Sequence, residues 1–501
     1  MKIKTKSIQI MILVAIFLLT STVSMGFTIE DTENPKKMTI TDKIHVIEPI
    51  VLTTESDNSI ISIPKVDTYI TIPDAPKIPK IVRTYTFPKA TQLQEITCTP
   101  SNKELYHLNS PIQKTPSFQS ISGNKYLSNQ DEIDPYTIEA YPESWYTTRT
   151  GSGITTSGDR VIHLTITIYP VRYHPLENTM TFASNFDIQI DYLPPAIKNT
   201  TSFETTHDLV IITPDLYVSA LNPFVHHKHN YDLNPLVITT TEIYNEFQGR
   251  DHQEKIKYLI KHAIETYGTK YVLLIGDITQ LPIRKTDAYP WEPYHGLGLL
   301  SDLYYADIYD GEGNFSCWDS NNNDIFGEVS FESFPPTPEH FIDDVDLYPD
   351  VHIGRIPCST VDELNIVLSK IITYEKVTSY QNWFKRIILA GGDTFPFLFY
   401  RGVPPNVFEG EITNIKVGQQ LPGFEQIRLW ASEQNLNART FNQALSEGAG
   451  FVSYAGHGFQ HGWGTYRPNA IIKGNLILYY TSFLKGLNNE HRLPVIFFDA
   501  C

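Results

Sequence analysis

Two residues have the types and placing of a nucleophile and its base. The run "GFVSYAGHG" carries His457 between two glycines, and the run "LPVIFFDAC" delivers Cys501 after another apolar stretch. A thiol becomes a nucleophile when a base takes its proton or lowers its pKa, and an imidazole does either. Each run reads as a short, nearly continuous apolar strand, the kind buried in a parallel sheet covered on both faces. In such sheets ligands bind beyond the carboxyl ends of the strands. If the two strands are neighbours, His457 and Cys501 face one crevice. Glycines 456 and 458 let the backbone pass close to a substrate, and the N–H groups of Gly458 and Cys501 would donate to a developing oxyanion. Taken singly, a cysteine ending an apolar strand is a small buried hydrophobe and a histidine among glycines is a turn residue. Their order and matching positions raise the chemical reading to equal standing.

The elements needed to place them are written along the chain. "DLVIITP", "PLVITTT", "YVLLIGD", "DVHIGRIP" and "RIILAGGD" are strand-like and alternate with helical stretches, including about 251–267, 360–377 and 438–447. That alternation predicts an α/β fold with a doubly wound, mostly parallel sheet. Before it, residues 27–195 read as β-rich: "RVIHLTITIYPVRYHP" alternates apolar and polar positions, and repeated prolines with β-branched residues disfavour helix. The domain reading is therefore 1–26 leader, 27–195 β-rich region, 196–206 Thr-rich linker and 207–501 α/β region, in two halves of about 207–380 and 381–501.

Composition narrows the function. The 501 residues are 41% hydrophobic, and the formal net charge is -17 with no basic cluster, which repels phosphate backbones and excludes a nucleic-acid partner. Lys2, Lys4 and Lys6 precede "IQIMILVAIFLL" and a small polar stretch, the pattern of a signal peptide. That run is short of the roughly 20 residues that span a bilayer, and no later segment is long enough, so the chain reads as exported, secreted or at the cell surface, without a stable span. The four cysteines, at 98, 317, 358 and 501, fit no zinc motif.

Four pieces in order, "YVLLIGD", "YPDVHIGRIP" with its helix "STVDELNIVLSKIITYE", "YAGHG" and "FFDAC", resemble the gingipain family of cysteine peptidases, whose fold is caspase-like. The resemblance covers roughly residues 205–501. It implies a cysteine endopeptidase acting on protein or peptide substrates, with His457 in an HG dipeptide and Cys501 in an AC dipeptide as the catalytic pair, working through a thioester acyl-enzyme and without a catalytic cofactor. It also implies that Asp350, just before the "IGR" strand, orients the histidine, although the best-known members have glutamate there and a turn residue is an equal reading. The β-rich region resembles the family's propeptide, which implies a zymogen released by cleavage in the linker, after Lys198. Asp362 and Glu363 are candidates for a specificity pocket, against a capping-box reading of Thr360–Glu363. The family continues beyond its nucleophile, so a chain ending there reads as a truncated fragment of doubtful activity.

One acidic, Asn- and Gly-rich stretch at 301–328 remains. Asp319, Asn321 and Asn323 at alternate positions, with Asp324 and Glu328 behind them, suit a structural calcium ion, and a polar surface insertion is the alternative. Two other functional readings stay open: an exported adhesion or binding protein with an inactive peptidase-like domain, and a metallohydrolase using His457, His461 and aspartates.

Overall fold

The computed structural model describes residues 22–23, 36–53, 58–66, 68–70, 75–115, 136, 138–195, 205–287, 298–328, 342–343, 345–394, 408–467 and 476–500. Most of the leader, the linker residues 196–204 and Cys501 lie outside the described residues. By its internal contacts the chain forms two compact units. One comprises Met1–Leu52, Ser59–Phe118 and Lys125–Asn365, the other Thr53–Asn58, Gln119–Asn124 and Ile366–Cys501.

In the first unit the β-rich region is built mainly from β1 (Met38–His45), β2 (Ile81–Pro88), β3 (Gln92–His107), β4 (Tyr146–Ile154), β5 (Arg160–Ile168), β6 (Val171–His174) and β7 (Thr179–Leu193). They form an antiparallel β2–β5–β4 sheet and an antiparallel β1–β7–β3 sheet with β6 also on β7. Period-two patterning sets the core. Leu164, Ile166 and Ile168 of β5 and Phe186, Ile188 and Ile190 of β7 are buried in one cluster, while the threonines and polar residues between the β5 positions are partly exposed.

The first α/β half follows with β8 (Leu209–Thr213), α1 (Val218–His229), β9 (Pro235–Thr239), α2 (Thr240–Glu246), α3 (His252–Tyr267), β10 (Tyr271–Ile275), β11 (His352–Ile356) and α4 (Val361–Val377). All four strands are parallel, in the order β9–β8–β10–β11. Every residue of β8 is buried, as a strand covered on both faces requires. In α3, Ile256, Leu259, Ile260, Ala263 and Ile264 fill the apolar stripe. Asp251 caps its start by accepting the Glu254 N–H, and Gly268 ends it at φ 70°.

The second unit repeats that strand order. Its elements are β12 (Arg386–Gly391), α5 (Glu409–Gln420), β13 (Glu425–Trp430), α6 (Ala438–Glu447), β14 (Phe451–Ala455), a small antiparallel set β15 (His457–Phe459), β16 (Gly462–Tyr466) and β17 (Leu476–Tyr480), and β18 (Val495–Asp499). The parallel sheet runs β13–β12–β14–β18, so each half follows the pattern second strand, first strand, third, fourth. The α/β class expected from the sequence is what the chain adopts, built as two four-stranded sheets.

The β-rich region and the first α/β half pack as one unit, although the residue pattern changes at 195. Strand β4 docks on the segment before β11. Arg149 donates to Val345 O at 2.8 Å, Ser152 N to Asp346 Oδ2 at 2.8 Å, Ser152 Oγ to Asp350 Oδ1 at 2.7 Å and Ile154 N to Pro349 O at 2.8 Å. His163 stacks on Tyr348 with ring centres 4.7 Å apart. A Cβ at Gly151 would overlap the Tyr348 ring and stand 2.8 Å from Asp346 Oδ2. Gly151→Ala should therefore destabilise the first unit by about 1–3 kcal/mol, the usual cost of overpacking. Thermal unfolding checks this, and an unchanged midpoint would rule the close approach out.

Candidate active site

Strands β14 and β18 are neighbours, in parallel register, with Ala455 opposite Asp499. Beyond that pair Gly456 N donates to Asp499 O at 3.0 Å. The backbone leaving β14 for His457 and the backbone leaving β18 thus travel side by side, about 4.8 Å apart as adjacent strands do. Ala500 packs against the apolar cluster of this half, and Cys501 follows it in sequence.

His457 opens β15 and is 9% exposed. Its Nε2 lies 2.7 Å from the carbonyl oxygen of Thr394. A carbonyl only accepts, so Nε2 carries the proton and the neutral ring keeps its lone pair on Nδ1. Burial pushes the imidazole pKa below its ordinary 6.5, and the Thr394 bond partly offsets that. Thr394 was not legible as a site residue, because its side-chain type is irrelevant to a bond made by its backbone. The loop around it is tied to β16: Tyr466 N donates to Asp393 O at 2.9 Å, and Thr465 Oγ1 to the same oxygen at 3.0 Å.

Tyr454 supports the turn from below. Its hydroxyl reaches His457 O at 3.2 Å and Gly464 O at 2.5 Å. A Cβ at residue 456 would collide with that hydroxyl, which is why glycine stands there. The Tyr454 ring packs on Trp463, with centres 4.2 Å apart, and on Phe498 of β18 at 5.9 Å. One side chain therefore touches both strand ends. Gly458, the expected oxyanion donor, lies in β15 opposite Trp463.

The other expected residues lie in the first unit and are committed locally. Asp350 is fully buried; one oxygen accepts Ser152 Oγ and the other accepts the N–H groups of Ile308 and Tyr309, each at 2.8 Å. Burial raises its pKa, and those hydrogen bonds oppose the rise. The hydrogen bond described for the His457 ring runs from its Nε2 to the Thr394 carbonyl. Glu363 caps α4: its carboxylate accepts Ser359 N at 2.7 Å, and its own N–H donates to Thr360 Oγ1 at 3.2 Å. Asp362 is exposed in the same first turn, where an acid suits the helix dipole.

In the acidic loop the residues expected to ligate calcium bond to Arg250 and to one another. Asp319 is buried and receives the Arg250 guanidinium at 2.5 Å, with the N–H groups of Asn323 at 2.9 Å and Asp324 at 3.2 Å. The amides of Asn321 and Asn323 donate to Glu328 Oε2 at 3.1 and 3.0 Å, and Asp324 stands 4.0 Å from Arg250. The Arg250 guanidinium pairs with Asp319, and among the described residues no cluster of three or more His, Cys, Asp or Glu is arranged around a metal position.

Residues 202–501 match the family model of peptidase family C25. The chain belongs to this family. It is similar to gingipain R2 of Porphyromonas gingivalis, 23% identical over 295 residues, which is 58% of this chain and 32% of that protein. Gingipain R1 of the same organism is also 23% identical over 295 residues, 24% of its length. An Archaeoglobus fulgidus protein is 29% identical over 183 residues, 34% of this chain and 42% of that one. The chain thus spans about a third or less of the gingipains it matches. Among solved structures, the Arg-specific cysteine proteinase gingipain R matches 61% of this chain and 56% of its own at 20% identity and TM-score 0.40. The complex of the Porphyromonas gingivalis RgpB pro- and mature domains matches 58% and 55% at 21% identity and TM-score 0.39.

In this C25 chain the His457 imidazole should titrate below 6.5. Its folded pKa is depressed, so the stability it contributes is present above the unfolded value and lost as pH falls through 6.5 toward the folded one. Proton NMR of the ring checks the midpoint, and His457→Gln should flatten this part of the stability profile. A midpoint at or above the ordinary value would contradict the buried, carbonyl-bound ring.

Proposed function

We propose that this chain is an exported cysteine endopeptidase of the gingipain type, made as a zymogen, with His457 and Cys501 as its catalytic pair. The register of Ala455 with Asp499, which starts both residues from one level of the sheet, is the observation that carries this reading. His457 Nδ1 takes the thiol proton while Thr394 O holds Nε2–H. The thiolate attacks the peptide carbonyl, and the N–H groups of Gly458 and Cys501 receive the oxyanion. The same Nδ1–H then protonates the leaving amine, and water hydrolyses the thioester. Thr394 takes the orienting part expected of Asp350.

The docking of β4 against the Asp346–Asp350 segment supports a propeptide role for the β-rich region. Export rests on the leader-like first 26 residues; among the described residues, no helix is long and apolar enough to cross a membrane.

Iodoacetamide at pH 6 with peptide mapping tests the pair. Cys501 should react about tenfold faster than Cys317, because an imidazole beside Cys501 takes its proton. The other two cysteines are poor competitors: Cys98 is buried and pushed up to about 12, and burial raises Cys358 as well. His457→Ala should remove the advantage, and Cys501→Ala should abolish peptide hydrolysis. Equal reactivity of Cys501 and Cys317 would favour an inactive binding protein.

A further inference from the structure

The bond from His457 to Thr394 is only as good as the aim of the Thr394 carbonyl, and a carboxylate holds that residue from its other side. Thr394 N donates to Glu409 Oε2 at 3.1 Å, while Thr394 O accepts His457 Nε2–H at 2.7 Å. Upstream, the bridge between Asp393 and Tyr466 fixes the chain as it enters Thr394. Glu409 is itself placed firmly. It is the first residue of the twelve-residue α5, where an acid suits the helix dipole and the N-cap Phe408 supplies no side-chain cap. The next residue, Gly410, donates its N–H to Gly392 O at 3.0 Å, and a Cβ there would collide with Ala455 O, at the end of the strand that leads to His457. The helix start is thus seated on the ends of β12 and β14.

We propose that Glu409 is a positioning residue for His457, acting through Thr394: its carboxylate anchors the Thr394 N–H so that the carbonyl of the same residue stays aimed at Nε2. The inference rests on the reading of His457 as the catalytic base. Its chemistry is hydrogen-bond acceptance, with no proton transfer to Glu409. An acid fifteen residues from Thr394 in sequence thereby orients the ring through Thr394.

The test compares Glu409→Ala and Glu409→Gln in the full chain by nitrogen-15 NMR of the His457 ring and by iodoacetamide mapping of Cys501. Glu409→Leu, which keeps side-chain bulk without an acceptor, replaces the alanine variant if circular dichroism shows that alanine unfolds the helix. In wild type the ring should be the Nε2–H tautomer. Removing the acceptor should give a tautomer mixture and slow Cys501 alkylation at pH 6 by about tenfold, the order of loss expected from a misplaced catalytic group. Glu409→Gln retains an acceptor oxygen and should behave as wild type in both. An unchanged tautomer in the alanine or leucine variant overturns the proposal, as does a loss in Glu409→Gln equal to theirs. The two readouts separate the two hypotheses: unreactive Cys501 in wild type sinks the peptidase reading, whereas an unmoved tautomer sinks only the role of Glu409.

Discussion

The hydrogen bond from Gly456 N to Asp499 O closes the register between β14 and β18, and the candidate site depends on that register. Parallel strands sit about 4.8 Å apart, so residues at equal offsets from a paired couple stand at equal height beyond the sheet. A slip of one residue would reverse the faces to which the slipped strand sends its side chains. Several contacts guard against it. Tyr454 bonds to His457 O and Gly464 O while its ring packs on Phe498, and Gly410 seats α5 against Ala455.

A second constraint is the charge balance around the imidazole. Burial disfavours the protonated ring, and the partner on Nε2 is a carbonyl rather than a carboxylate. A carboxylate would stabilise imidazolium and raise the pKa; a carbonyl fixes the tautomer while adding no net charge. In the proposed mechanism the neutral ring then presents Nδ1 as the base. Asp350, which its place before the "IGR" strand made the apparent third member, is satisfied by Ser152 and two backbone N–H groups.

Those same bonds give Asp350 a different standing in the molecule. A buried carboxyl is costly unless it is hydrogen-bonded, and Ser152 of the β-rich region supplies one of its three donors. Asp346 accepts Ser152 N and Tyr348 N in the same way, and burial with the nearby Asp307 charge pushes its pKa upward. The β-rich region is therefore wired into the first α/β half through polar groups as well as packing. That is why a sharp change in residue pattern at 195 is not matched by a break in the contacts.

Local periodicity determined much of the architecture. The helices expected near 251–267, 360–377 and 438–447 are His252–Tyr267, Val361–Val377 and Ala438–Glu447, and the apolar runs are parallel strands as read. These follow from spacing and end signals within a dozen residues, which a sequence displays directly. In the acidic loop alternate Asp and Asn residues look alike in the sequence whether they face a metal or one another, and the pairing of Asp319 with Arg250, remote in sequence, could not be read there. The Thr394 partner of the His457 ring was invisible for another reason. It is a backbone carbonyl, which every residue possesses, aimed by a strand bridge and a helix start that come together only in space. The sequence determined which residues carry reactive groups and which elements carry them; strand order and register, set by long-range packing, decided which of those groups share a partner.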